Sequence, residues 1–199
     1  MKVLIATRNK GKSKEIQELL RDFPATFYSP DDLGITEDCE ETATTFEGNA
    51  LLKAKFYAQS LPEKDFLVIA DDSGIHVNAL ADELGVQTRR WGAGAQASDE
   101  EWLGFFLKRM EREADRRARF VCAIALLDGE AEQVFLGENE GDLQLEPQTD
   151  LEPGIPLSSI FQPLGFDRVY SALSVDEKNQ ISHRGRALQK LLNHLLNGS

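Results

Sequence analysis

Two uninterrupted apolar runs, Val3-Leu4-Ile5-Ala6 and Leu67-Val68-Ile69-Ala70, constrain this chain more than any other feature. Each lacks helical spacing and gives way at once to polar residues, as a short strand buried on both faces does. Such strands need helices on both sides, and the helices are legible. Ile16, Leu19, Leu20 and Phe23 recur at the i, i+3, i+4, i+7 spacing of an amphipathic helix running from about Ser13, and Pro24 stops it. A second strand at Ala25 to Ser29 then completes a β-α-β start.

The rest of the chain continues the alternation and then breaks it. Thr44 and Glu47 have the spacing of a capping box, which predicts a helix to about Ser60 with Ala50, Ala54, Tyr57 and Leu61 on its apolar side. A second box at Ser98 to Glu101 opens a helix striped by Leu103, Phe106, Leu107 and Met110. Phe120 to Leu127 and Gln133 to Leu136 flank Asp128-Gly129-Glu130, which predicts a β-hairpin. From Phe120 to Asp167 there is no Lys or Arg, and Pro147, Pro153, Gly154, Pro156 and Pro163 predict a long acidic loop. Ser174 to Glu177 caps a short helix, and Ala187, Leu188, Leu191, Leu192 and Leu195 line the last one. Strands alternating with helices and then a hairpin predict an α/β fold with a mixed sheet and helices over both faces.

The 199 residues fit one domain, or two small lobes sharing a core. A net charge of −12 argues against generalised attraction to nucleic acid or to an anionic membrane, but leaves room for a small anion escorted by a metal cation. Cys39 and Cys122 have no metal-ligand or redox spacing, so they read as reduced thiols. No apolar run approaches the ~18 residues of a membrane span, and the first is too short for a signal peptide, so the expected compartment is the cytoplasm.

Against that acidic background three segments stand out. Arg8, Lys10, Lys12 and Lys14 crowd the turn between the first strand and its helix. Backbone N–H groups and the positive end of the helix dipole favour an anion there, with Thr7 and Asn9 as neutral donors and Lys12 as a point charge. An ordinary solvated basic turn has the same residues, and no glycine-rich phosphate fingerprint decides between the two. The second segment, Asp71-Asp72-Ser73-Gly74, puts two carboxylates at a strand end, suited to Mg²⁺ and to accepting a proton from water. Alternation sends the two side chains opposite ways, so their roles differ; an Asp-rich turn capping its own backbone is the structural alternative. In the third, Ser182-His183-Arg184, a His and an Arg at a helix start suit a purine or a phosphate, with Lys178 close by.

Together these segments resemble the inosine triphosphate pyrophosphatase (Ham1-like) family. The matching stretches are ATRNKGK (6–12), EET (40–42), TFEGNALLKA (45–54), ADDSG (70–74), GFD (165–167) and EKNQISHRGRAL (177–188), in the family's order over nearly the whole chain. The resemblance implies an elongated two-lobed α/β fold built as a single domain over 1–199, with the nucleotide in the cleft between lobes and a homodimeric assembly. It implies Mg²⁺-dependent hydrolysis of ITP, dITP and XTP to the monophosphate and pyrophosphate, a cleansing of the nucleotide pool. Carried onto this chain, Thr7, Arg8, Asn9, Lys10, Gly11 and Lys12 hold the triphosphate, and Glu40 and Asp72 bind the metal. Asp72 is also the base for the attacking water, with Lys12 as its catalytic partner, and Ser73 touches substrate. Leu164, Gly165, Phe166, Asp167, Lys178, His183 and Arg184 surround base and sugar.

The chain departs from the family at Leu84 to Gly94, which reads LGVQTRRWGAG, and at Pro163 to Tyr170, which reads PLGFDRVY where Gly-Phe-Gly-Tyr-Asp-Pro is usual. The loop Gly137 to Gln162 also lacks the family's glycine cluster. These departures keep two other readings open: a Maf-like triphosphate pyrophosphatase with another base preference, and a nucleotide-binding module without turnover.

Overall fold

The computed structural model describes residues 1–63, 65–80, 83–94 and 96–197. The two apolar runs form β1 (Lys2–Ile5) and the start of β3 (Phe66–Val77), paired in parallel. Helix α1 (Lys10–Leu19) connects β1 to its other parallel neighbour, β2 (Thr26–Tyr28), and α2 (Phe46–Gln59) leads from there to β3. An antiparallel meander follows through β4 (Arg117–Asp128), β5 (Ala131–Leu143) and β6 (Phe161–Pro163). The mixed sheet therefore has six strands in the order β2-β1-β3-β4-β5-β6. Helices α3 (Asp99–Met110), α4 (Val175–Ile181) and α5 (His183–Asn197) complete the α/β fold.

Side-chain alternation explains why the apolar runs are uninterrupted. Leu4, Ala6, Val68 and Ala70 pack under α2 through Ala50, Ala54 and Tyr57. Val3, Ile5, Leu67 and Ile69 pack on the other face against Ile16 and Leu20 of the α1 segment and Ala187, Leu188 and Leu191 of α5. Each residue of these strands thus finds an apolar layer, whichever way it points. Farther along, Ile75, Val77, Ala118 and Phe120 join Trp102, Leu103, Phe106 and Met110 of α3 in a third cluster.

Several boundaries differ from the sequence expectation. Helix α1 begins at Lys10 because Asn9 caps it, its Oδ1 accepting from the Lys12 amide at 3.0 Å. Thr45, not Thr44, caps α2 by accepting from Gly48. The boxes Ser98/Glu101 and Ser174/Glu177 are closed in both directions. β3 does not stop at Asp71 but stays paired with β4 as far as Val77.

β5 also extends to Leu143, well into the span expected to be a loop. Its inward positions are Gly137, Asn139, Gly141 and Leu143, and they alternate with exposed Leu136, Glu138, Glu140 and Asp142. A Cβ on Gly137 would run into the His183 carbonyl and the Ala187 amide of α5, and one on Gly141 into the Gln162 carbonyl. Close backbone approach, not apolar side chains, fills the inward face there, so the period of two leaves no mark in hydropathy. Among the described residues no helix is long and apolar enough to cross a membrane.

Candidate active site

The two parallel crossovers lie on opposite faces of the sheet, α1 on one and α2 on the other. A crevice opens at the carboxyl ends of the strands where the connections diverge, here between β1 and β3. β1 ends at Ile5, and its last tie to β3 is the Ala6 amide donating to the Ile69 carbonyl at 2.7 Å. Beyond that point one edge of β3 is free of β1. The Thr7 to Lys12 turn and the Asp71 to Gly74 stretch meet at this opening.

The turn is built from its own polar side chains. Thr7 Oγ1 accepts from the Asn9 amide, and Asn9 Nδ2 donates to the Gly154 carbonyl at 2.9 Å while Oδ1 caps α1. Gly11 lies so near Pro153 that a Cβ would come within 2.5 Å of its carbonyl oxygen. Lys12 reaches inward, its Nζ 3.1 Å from Asp71 Oδ2. Arg8 turns outward instead, pairing with Asp31 at 2.6 Å and donating to the carbonyls of Ile35 and Glu37. Lys10 is exposed.

The two aspartates face opposite layers, as strand alternation predicts. Asp71 is fully buried, and its Oδ2 draws Lys12, the Ser73 hydroxyl at 3.3 Å and Arg184 Nη2 at 3.3 Å. Burial alone would raise the Asp71 carboxyl, but Lys12, Arg184 and Lys53 outweigh it and hold the group below the ordinary carboxylate range. Asp72 looks toward α2. Its Oδ2 accepts from Asn49 at 3.1 Å, its Oδ1 from the Ser73 amide at 3.1 Å, and Lys53 Nζ stands 3.6 Å away. Here burial prevails over Lys53 and Lys12, with the Glu41 charge adding to it, so Asp72 is raised. Of the two, Asp72 is therefore the better proton acceptor.

Lys53 also binds Glu41 at 2.7 Å, and Glu41 pairs with Arg90 at 3.5 Å. Glu41 is thus the acid of the EET stretch that joins the Asp72 neighbourhood, while Glu40 is exposed to solvent. Among the described residues no group of three or more His, Cys, Asp and Glu side chains gathers into a ligand set. The two carboxylates Asp72 and Glu41, linked by Lys53, supply hard oxygen donors in the small number that suits Mg²⁺. A hard divalent cation held there would take its remaining ligands from water and phosphate oxygens.

At the start of α5 the Ser182 hydroxyl caps by accepting from Gly185 at 2.9 Å. Arg184, only 3% exposed, is held by Glu15 and Asp71 and donates to Ser73 Oγ at 3.0 Å. Lys178 joins the same network through Glu15 at 2.7 Å and Glu152 at 2.9 Å. His183 is buried and stacks on Phe120, the ring centroids 4.6 Å apart. Its burial, with the positive charges of Arg184 and Lys12, pushes the imidazole well below its usual range and keeps it neutral.

These residues line a cavity of about 640 Å³, open solvent at its mouth included. Its lining combines polar groups, Lys12, Ser73, Lys178, His183 and Arg184, with apolar ones, Trp102, Phe120, Ile155, Leu157 and Tyr170. Leu164, Gly165, Phe166 and Asp167, expected around base and sugar, are not part of it. β6 pairs with the edge of β5, and the Leu164 amide donates to the Glu140 carbonyl, so the following turn projects past the sheet. The side chain of Asp167 is 96% exposed, and Leu164 borders a separate groove with His76 and Arg119. Gly154 to Ser158 provides the cavity wall instead. Gly154 anchors that segment: its amide donates to Asp99 at 2.6 Å and its carbonyl accepts from Asn9.

Sequence reasoning also missed Glu15, Asn49 and Lys53. Each had a signal: Glu15 lies three residues after Lys12 on one helix face, and Asn49 and Lys53 lie four apart within TFEGNALLKA.

The Ham1 family model matches residues 3–194. The chain is 38% identical to the dITP/XTP pyrophosphatase of Thermoanaerobacter pseudethanolicus, over 98% of this chain and 97% of that one. It is 40% identical to the dITP/XTP pyrophosphatase of Bacillus subtilis, over 94% and 93%. The structure of the Staphylococcus aureus Ham1 protein superimposes with a TM-score of 0.81 at 34% identity, covering all of both chains. Full-length similarity in sequence and in fold, with Lys12 of the opening turn, Ser73 beside the aspartate pair and the His183-Arg184 corner lining one cavity, establishes that the chain belongs to the Ham1 family.

Proposed function

We propose that this chain is a Mg²⁺-dependent pyrophosphatase that hydrolyses dITP, ITP and XTP to the monophosphate and pyrophosphate, removing deaminated purines from the nucleotide pool. The observation that carries the reading is one cavity, in a strongly acidic chain, lined by Lys12 at a helix start, by Ser73 next to the raised carboxyl of Asp72, and by the aromatic rings of Trp102, Phe120 and Tyr170. The relatives' names point to the same substrates.

In this reading the Thr7 to Lys12 turn holds the triphosphate through the free amides of α1 and through Lys12. Lys178 and Arg184 add positive charge beside Lys12. Asp72, with a Glu of the EET stretch, holds Mg²⁺, which when bound neutralises phosphate charge and activates water. Asp72 takes the proton of the attacking water as the bond between the α and β phosphates breaks. Such proton transfer contributes about 10²–10⁴-fold. Arg184 keeps Asp71 ionised beside Lys12, so that Lys12 stays fixed for the departing pyrophosphate. A separate apolar cluster around α3, beside the two that cover the faces of β1 and β3, supports a two-lobed single domain with the nucleotide between the lobes. The family resemblance supports a homodimer and a cytoplasmic site of action, with neither nucleic acid nor membrane as partner.

The test is a rate panel of dITP, ITP, XTP, GTP, ATP and dUTP with Mg²⁺, products identified, on the wild type and Asp72→Asn. The expected result is pyrophosphate release from the deaminated purines and a loss of at least about 100-fold in the variant. Orthophosphate as product, or full activity of Asp72→Asn, refutes the mechanism.

A further inference from the structure

The wall from Gly154 to Ser158 is entered through Leu151 to Ile155, a stretch that belongs to no strand or helix. Glu152-Pro153-Gly154-Ile155 is a type II turn: proline takes its second position, glycine its third with φ +81°, and the Ile155 amide closes it on the Glu152 carbonyl at 3.1 Å. A type I turn differs by a flip of the central peptide; proline fits the second position of either, and glycine adopts both conformations at the third. Contacts from outside the turn therefore decide which way the Pro153-Gly154 peptide faces.

That peptide is held between the starts of two helices. Its N–H donates to Asp99 Oδ2 at 2.6 Å, and among the described residues it has no backbone acceptor. Its carbonyl oxygen lies against Gly11 of α1, where an added Cβ would stand 2.5 Å away. One bond farther along, the Gly154 carbonyl accepts from Asn9 Nδ2 at 2.9 Å, and Asn9 Oδ1 caps α1 at the Lys12 amide. Asp99 is the first residue of α3, whose start the Ser98/Glu101 box already satisfies, so its carboxylate is spare for this bond. An ionised acceptor makes the bond short and roughly twice as strong as a neutral one.

We propose that Asp99 is a positioning residue that locks this turn in its type II form and so fixes the cavity wall against the Thr7 to Lys12 turn. The inference rests on the nucleotide reading of the site above, and Asp99 acts through Gly154 and Asn9 rather than on the water or the phosphates. Without the lock the peptide flips, the Gly154 carbonyl leaves Asn9, and Ile155, which lines the cavity, moves with it. Substrate then binds only the locked fraction, so a fraction of about one-tenth weakens apparent affinity about tenfold and leaves the chemical step alone.

The experiment compares nitrogen–proton spectra and steady-state kinetics of the full chain as wild type, Asp99→Ala, Asp99→Asn and Glu100→Gln. Glu100 is exposed in the same helical turn, so its variant removes a like charge from the helix start without touching Gly154. Asp99→Ala is expected to move the Gly154 amide signal together with the Asn9 side-chain amide and the Lys12 amide, while Glu100→Gln leaves all three in place. With ITP, Asp99→Ala should raise KM about tenfold and keep kcat within about twofold; Asp99→Asn, which retains a neutral acceptor, should recover part of the loss. A Gly154 shift that leaves Asn9 and Lys12 unmoved, an unchanged KM, or the same effects from Glu100→Gln overturns the inference. If Asp99→Ala does not fold, the wild type decides: a locked Gly154 amide exchanges slowly in D2O, and exchange at the rate of an open loop refutes the lock. If the wild type hydrolyses no triphosphate, the proposed reaction fails, and the Gly154, Asn9 and Lys12 signals still decide the role of Asp99.

Discussion

Replacing Glu15 by Gln tests whether the ion network behind the cavity stabilises the fold as well as the site. Glu15 is 15% exposed; it takes Lys178 at 2.7 Å and the guanidinium of Arg184, which is 3% exposed. Exposed ion pairs contribute only about 0–1 kcal/mol. Removing one partner of a buried pair, by contrast, costs about 3–5 kcal/mol, because the other charge is left uncompensated. Gln keeps the shape and still accepts a hydrogen bond, and Asp71 continues to face Arg184, so the lower end applies, about 3 kcal/mol. For a chain of this length each kcal/mol shifts the melting temperature by about 2–4 °C, which predicts a fall of roughly 6–12 °C at pH 7.

Acidification adds a sign to the same test. Burial would raise the Glu15 carboxyl from 4.5, but Arg184 and Lys178 outweigh burial and lower it. A carboxylate depressed in the folded state contributes stability that is complete above its unfolded value and lost as pH falls through its folded one. The difference between wild type and Glu15→Gln is therefore largest at pH 7 and shrinks below about 4.5, where the unfolded carboxyl takes up its proton. Urea and thermal unfolding at pH 7, 5 and 4 measure it. Equal stability at pH 7, or a gap that widens in acid, refutes the reasoning.

Three further outcomes follow from the same coordinates. Gly154 has φ +81° and its Cβ would sit 2.5 Å from Asn9 Oδ1, so Gly154→Ala should cost about 1–3 kcal/mol and raise KM for the triphosphate by disturbing the α1 cap; urea unfolding and steady-state kinetics check it. His183 is buried neutral, so wild-type stability should begin to fall as pH drops below 6.5, where the unfolded imidazole gains a proton, and His183→Gln should flatten that slope between pH 7 and 5 in denaturant titrations. A disulfide reagent at pH 8 should modify only the half-buried Cys39 in the native protein and both thiols in urea, since burial pushes the Cys122 thiol up to about 12.

What the sequence by itself determined was the part of the protein governed by neighbours along the chain. The unbroken runs at Val3 and Leu67 read as doubly covered strands, and the capping boxes at Ser98 and Ser174 marked two helix starts, because each signal lies within a few residues of its effect. The opposite facing of Asp71 and Asp72 was legible for the same reason: a period of two needs no tertiary information. Where backbone took the place of side chains, at Gly137 and Gly141, the strand went unseen.

Only the tertiary structure decided which members of each motif share the cavity. It turned Glu41 rather than Glu40 toward Lys53, and it built the wall from Gly154 to Ser158 while leaving Leu164 to Asp167 beyond the sheet edge. It also brought Trp102, a residue with no motif, to the lining of the cavity. Glu15 and Arg184 are 169 positions apart, and Asn9 and Gly154 are 145 apart. Contacts over such separations depend on how the whole sheet and its helices close, which no local pattern encodes. The chemistry of the site was written in residue types, and its selection among them in the packing.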